Sequence, residues 1–110
     1  MSRVNFINYI ISKECVRWDD LIKKFGFEGD EEFIIEEYNI VLWRGISKDF
    51  KDHITDDWNN NKISFIPVDV SAYQLAGVTV NKGYSIGKSI PENGYKDKKW
   101  FPTLITYKVR

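Results

Sequence analysis

The stretch IVLWRGISKDFKDHITDDWNNNKISFIPVDVSAYQLAG, Ile40 to Gly77, holds the densest run of apolar residues in the chain, and its hydrophobic period changes along the way. Ile40, Val41, Leu42 and Trp43 are consecutive apolar residues, the pattern of a strand buried on both faces, and Gly45 breaks the run. From Ser47 the period lengthens: Phe50, Ile54 and Trp58 recur every four residues and place one apolar stripe on a helix. Ser47 is the expected N-cap, because its hydroxyl can accept a bond from a first-turn N–H, and Asp49 sets a carboxylate near the positive end of the dipole. Asn59, Asn60 and Asn61 end that helix, since asparagine tolerates the left-handed conformation. Ile63, Phe65 and Pro67 then alternate with Ser64 and Ile66 as a strand whose proline implies an end or an edge. Ser71 and Gln74 have capping-box spacing for one more short helix, with Tyr73, Leu75 and Ala76 to pack and Gly77 to stop it.

Upstream, Val4, Ile7 and Ile11 mark one face of a first helix capped by Ser2, while Phe6, Tyr9 and Ile10 fall on its other sides. A helix apolar nearly all round is either central to the core or seated on another chain, so a homodimer through this helix is one reading. After a turn at Ser12 to Glu14, Trp18, Leu21, Ile22 and Phe25 follow the i, i+3, i+4, i+7 pattern of a second helix. Asp19 and Asp20 open it, Lys23 and Lys24 close it, and Gly26 stands where a C-terminal glycine belongs. Gly29 and Asp30 introduce a third, acidic helix, Glu31 to Tyr38, with Phe33, Ile34 and Tyr38 as its apolar contacts.

Downstream, Val78 and Val80 lead through an Asn81-Lys82-Gly83 turn to Tyr84 and Ile86, a hairpin. The polar segment Gly87 to Lys99, with Pro91, Asn93 and Gly94, reads as an exposed loop. Phe101, Thr103, Ile105, Tyr107 and Val109 alternate in one C-terminal strand, Trp100 to Val109, with Pro102 near its beginning or on an edge. The expectation is an α+β fold in a single domain, residues 1–110. It has an N-terminal three-helix unit, then strand–helix–strand, then a small mostly antiparallel sheet.

Two short helices joined through Lys23, Lys24, Phe25 and Gly26, a third after the glycine turn, and then strands resemble the helix order of winged-helix DNA-binding domains over residues 3–45. The resemblance implies DNA binding, with the later hairpin as a wing. The helix that reads the major groove in that family falls here on Glu31, Glu32, Glu36 and Glu37, with no lysine or arginine between Lys24 and Arg44. Four carboxylates are repelled by phosphates, so DNA contact is expected through the hairpin and the basic loop instead.

At 43% hydrophobic and 15% aromatic, the chain is too apolar to be disordered, and its four tryptophans belong to a core or an interface. The single cysteine, Cys15, cannot form an intramolecular disulfide and reads as a buried structural thiol. The apolar residues from Val4 to Ile11 are too few to span a bilayer, so a cytoplasmic protein without a membrane partner is expected. Net charge is zero but unevenly placed: residues 1–60 carry 8 basic against 13 acidic side chains, residues 61–110 carry 8 against 3. Such asymmetry suits a two-faced molecule.

Signatures of catalysis are sparse. His53, the only histidine, is flanked by Asp49, Asp56 and Asp57 on a helix and reads as part of a solvated face, because no second histidine or cysteine stands at ligand spacing. A non-enzymatic protein with no cofactor and no metal is therefore expected. Lys82, Tyr84, Lys88, Lys96, Lys98, Lys99 and Trp100 form a basic, aromatic set suited to neutralising phosphates and stacking bases. Glu28, Asp30, Glu31, Glu32, Glu36 and Glu37 form an acidic set suited to a partner's basic surface. The first functional expectation is an accessory or regulatory protein that binds DNA through the basic loop and wing-like hairpin. The alternative is a protein-binding adaptor or inhibitor that uses the acidic set.

Overall fold

Because Ile40–Trp43 is apolar on both faces, this strand sits inside the molecule and everything else packs around it. The computed structural model describes residues 3–77, 84–87 and 90–108, the first three in backbone only. The chain runs α1 (Arg3–Lys13), β1 (Cys15–Arg17), α2 (Trp18–Phe25), β2 (Glu28–Ile35), a 3₁₀ turn (Glu36–Tyr38) and β3 (Ile40–Ile46). It continues through α3 (Lys48–Asn59), β4 (Ile63–Pro67), α4 (Ser71–Gln74), β5 (Ser85–Ile86), β6 (Lys99–Trp100) and β7 (Thr103–Tyr107). The fold is α+β, with two sheets. One is antiparallel, ordered β1-β7-β4; the other is mixed, ordered β2-β3-β6-β5, with β2 antiparallel to β3 and β6 parallel to both β3 and β5.

Local chemistry fixes several boundaries as expected. Ser47 Oγ accepts the Phe50 N–H at 3.2 Å and starts α3. Gly26, at φ +69°, closes α2 with its N–H on the Ile22 carbonyl. Asn61, at φ +58°, lies just past the end of α3. One continuous core joins α1, α2, α3 and both sheets through Phe6, Ile10, Trp18, Leu21, Leu42, Trp43, Phe50, Ile54 and Ile105. At its junction the buried Tyr73 hydroxyl accepts the Trp18 N–H at 3.1 Å and donates to the Thr103 carbonyl at 2.6 Å. Trp18 Nε1 adds a bond to Thr103 Oγ1 at 3.0 Å. These bonds tie α4, α2 and β7 together with no dangling polar group, and burial raises the Tyr73 pKa above that of an ordinary phenol.

The structure corrects the sequence reading at several places. The acidic segment is not a third helix: Glu28–Ile35 is an edge strand, so the described N-terminal residues run helix, strand, helix, strand instead of three successive helices. On α1 the buried face is Phe6 and Ile10, while Ile11 is 47% exposed. Gly45, at φ +91°, does not end β3, which continues to the buried Ile46. The start of α4 is capped by Asp69, whose carboxylate accepts the Ser71 N–H at 2.9 Å, and no capping box forms. Residues 100–109 are not one strand. Trp100 belongs to β6 of the mixed sheet, and beyond Pro102, which has no N–H to offer a ladder, β7 enters the antiparallel sheet. Cys15 is exposed, because it lies at the start of the short edge strand β1. The expected 78–83 arm and turn of the hairpin and Val109 lie outside the described residues.

Candidate interaction surface

The acidic residues take their places from the shape of β2. Gly29 allows the strand to lie directly on the β3–α3 junction: a Cβ there would sit 2.5 Å from the Ile46 carbonyl oxygen and 2.6 Å from the Ser47 Cα. Glu28 and Asp30, both exposed, are thereby brought to the start of α3, where Asp49 is exposed as well. Farther along, Glu31 pairs with Lys51 at 3.5 Å. Glu32 accepts the Tyr84 hydroxyl at 2.5 Å and lies 3.9 Å from Arg44 Nε, while the Arg44 guanidinium stands 5.9 Å from the centre of the Tyr84 ring. The bond to Glu32 raises the Tyr84 pKa, because the carboxylate holds the phenolic proton. At the far end of β2, Glu36 and Glu37 are exposed on the 3₁₀ turn.

The lysine loop is tied to that same turn. Asn39, at φ +55°, donates its Nδ2 to the carbonyl oxygens of Tyr95 at 2.8 Å and Lys96 at 3.4 Å. Tyr95 N–H bonds the Tyr38 carbonyl at 2.9 Å, and Lys99 N–H bonds the Asn39 carbonyl at 3.0 Å. Gly94, at φ +79°, permits the approach, since a Cβ there would lie 2.5 Å from the Tyr38 Cα. Lys96 and Lys98 are exposed on this clamped loop and Lys99 is half-buried. The backbone bonds place the loop beside the turn that carries Glu36 and Glu37.

The two sets of residues picked from the sequence are therefore not two separate faces. The acidic set is spread over both ends of β2, and Glu32 and Tyr84, one from each set, form a single hydrogen-bonded pair. Trp100 leaves the basic set altogether: it is 1% exposed, packs against Trp43 and Tyr73, and donates its Nε1 to the Leu42 carbonyl at 3.3 Å. Its ring cannot stack on a base without opening the core. Lys82 and Lys88 lie outside the described residues. Arg44, Asn39 and Gly94 organise this surface, but the sequence reading gave none of them a part in it; Gly94 was read only as a loop residue. The only local signal was an Asn and a Gly, the residue types that adopt positive φ.

His53 is half-buried, its ring 6.2 Å from that of Phe6. Among the described residues, no group of three or more His, Cys, Asp or Glu side chains is placed to hold a metal ion. No helix among them is long and apolar enough to cross a membrane. Compared with known proteins, the chain matches no family model, no curated protein and no solved structure.

Proposed function

We propose that this chain is a non-enzymatic protein-binding adaptor or inhibitor that captures a basic segment of its partner along β2 and the turn that follows it. The carrying observation is the exposure of Glu28, Asp30, Glu36 and Glu37 along this one sheet edge and turn. Among the described residues, none of the four forms an ion pair, whereas Glu31 and Glu32 are already engaged. Exposed carboxylates steer a cationic partner and fix its register, and they contribute little to folding. β2 carries shifts in its register with β3 between Glu28 and Glu31, Glu31 and Glu32, and Phe33 and Ile34. Bulges and charges on an edge discourage strand addition, so the contact is made by side chains and not by an added strand.

The test uses a fluorescein-labelled oligolysine peptide in anisotropy titrations at about 50 and about 200 mM salt. Binding that weakens with salt and disappears in Glu36→Lys with Glu37→Lys supports the proposal; binding that the double variant leaves unchanged removes it.

A second reading, DNA contact, keeps one favourable observation: Lys96 and Lys98 are exposed on a loop whose backbone is clamped to Tyr38 and Asn39. Labelled single- and double-stranded DNA in the same titrations decides it. Salt-sensitive binding lost in Lys96→Glu with Lys98→Glu would favour that reading over the adaptor.

A further inference from the structure

Between the two sheets lies a cleft of about 170 Å³ that the acidic surface alone does not explain. Its floor is the buried trio Ile40, Leu42 and Phe101, and its walls are the half-buried Trp58 and Phe65, whose rings are 5.4 Å apart. Ile35, Ser64, Pro67, Thr103 and Ile90 complete the lining, and Ile90 is 45% exposed. Ile35 is the last residue of β2, so Glu36 and Glu37 follow it directly in the chain.

We infer that this cleft receives one apolar side chain of the basic partner segment, whose flanking lysines or arginines meet Glu36 and Glu37. The inference rests on the adaptor reading and names its anchor. Size and charge select the occupant. A cavity of roughly 150 Å³ takes a benzene-sized group, and drug-sized ligands need roughly 300 Å³ or more, so a single leucine or phenylalanine side chain fits where a larger ligand does not. The carboxylates that follow Ile35 favour an anchor presented between cations. A desolvated apolar anchor encircled by polar contacts is also how binding energy concentrates in protein interfaces.

Three labelled nonapeptides test this by anisotropy: a leucine between two pairs of lysines, the same peptide with alanine at the centre, and the leucine peptide with glutamates replacing the lysines. The leucine–lysine peptide is expected to bind about tenfold more tightly than the alanine peptide, the ratio that burial of an aliphatic side chain supports. Ile90→Glu, at an exposed position, should erase that ratio yet keep the lysine-dependent affinity, with the circular dichroism of the wild type. Equal affinity of the leucine and alanine peptides, or a ratio that Ile90→Glu leaves intact, would overturn the cleft while the acidic surface stands. Failure of both lysine peptides to bind would overturn the cleft and the adaptor reading together. Equally tight binding of the glutamate peptide would remove the cationic partner and with it the inference.

Discussion

Tyr73 and Tyr84 each carry a hydrogen-bonded hydroxyl, yet they serve opposite ends of the molecule. Tyr73 is fully buried, and its oxygen joins two main-chain groups from α2 and β7. Tyr84 is half-buried, and its hydroxyl holds one carboxylate, that of Glu32, beneath Arg44. At the junction around Tyr73, each lost bond strands a buried partner that water cannot reach. At the β2 edge around Tyr84, water replaces what is lost. The difference separates the part of the sequence that specifies the fold from the part whose charges the fold does not require.

The most damaging way to test the junction is to remove its largest side chain. Trp18 is 0% exposed and contacts Phe33, Phe50 and Phe65. Trp18→Ala should cost about 3–5 kcal/mol, much of the stability expected of a domain this size, and urea unfolding measures it. A loss below about 1 kcal/mol would mean that the junction is not where the stability resides.

Tyr73→Phe isolates the hydroxyl while keeping the ring. The Trp18 N–H and the Thr103 carbonyl lose their partner, each at about 1–3 kcal/mol if left unsatisfied, so a total of at least about 2 kcal/mol is expected. The pH dependence carries a sign. The folded-state pKa of Tyr73 is raised above the unfolded value near 10, so its contribution is complete below about pH 10 and is lost as pH rises beyond it. Tyr9 and Tyr84 are raised as well and act in the same direction. Unfolding between about pH 9 and 11 should therefore show a shallower alkaline loss in Tyr73→Phe than in the wild type; identical slopes would mean that Tyr73 ionises as freely as an exposed phenol.

The same division explains what could be read from the sequence. α2 and α3 were legible because each buries a regular stripe and carries its own end signals, such as Gly26, Ser47 and the asparagines around the end of α3, and β3 and β4 showed as short apolar runs although Gly45 did not mark the end of β3. β2 was not legible. Glu-rich segments have good helix propensity, and the register shifts along β2 erase the period of two that would mark a strand, leaving only Phe33 buried. β1 spans three residues and cannot display a period at all. The division of the C-terminal alternation between two sheets is a tertiary choice: both strands present apolar residues to the same core, and Pro102 marks the crossing without saying where the chain goes. For the candidate surface, charge type was readable, but proximity was not. Nothing local to Glu32 or Tyr84 announces that residues 52 positions apart share a proton donor and acceptor.

Gly94→Ala sharpens the comparison where the lysine loop meets the acidic turn. The added Cβ would meet the Tyr38 backbone at 2.5 Å, from a residue already at φ +79°. Strain and displacement together should cost about 1–2 kcal/mol. The amide of Tyr95, which bonds the Tyr38 carbonyl, should exchange its hydrogen faster, while amides at the Tyr73 junction stay protected. Equal loss of protection in both places would show one cooperative unit in place of two regions.

The smallest effect is expected at Tyr84 itself. Tyr84→Phe removes the donor to Glu32 but keeps a ring beneath Arg44, and Glu32 retains Arg44 at 3.9 Å and access to water. The loss should therefore stay below about 1 kcal/mol, the net worth of a hydrogen bond whose acceptor can be rehydrated. An ultraviolet titration of the phenols should show one fewer late-titrating group, because the Glu32 carboxylate that held the proton has no phenol left to hold. Basic-peptide binding should persist, since Glu36 and Glu37 are untouched. A loss above about 2 kcal/mol would place Tyr84 among the groups whose partners water cannot reach, and the boundary between the interior and the β2 edge would have to be redrawn around it.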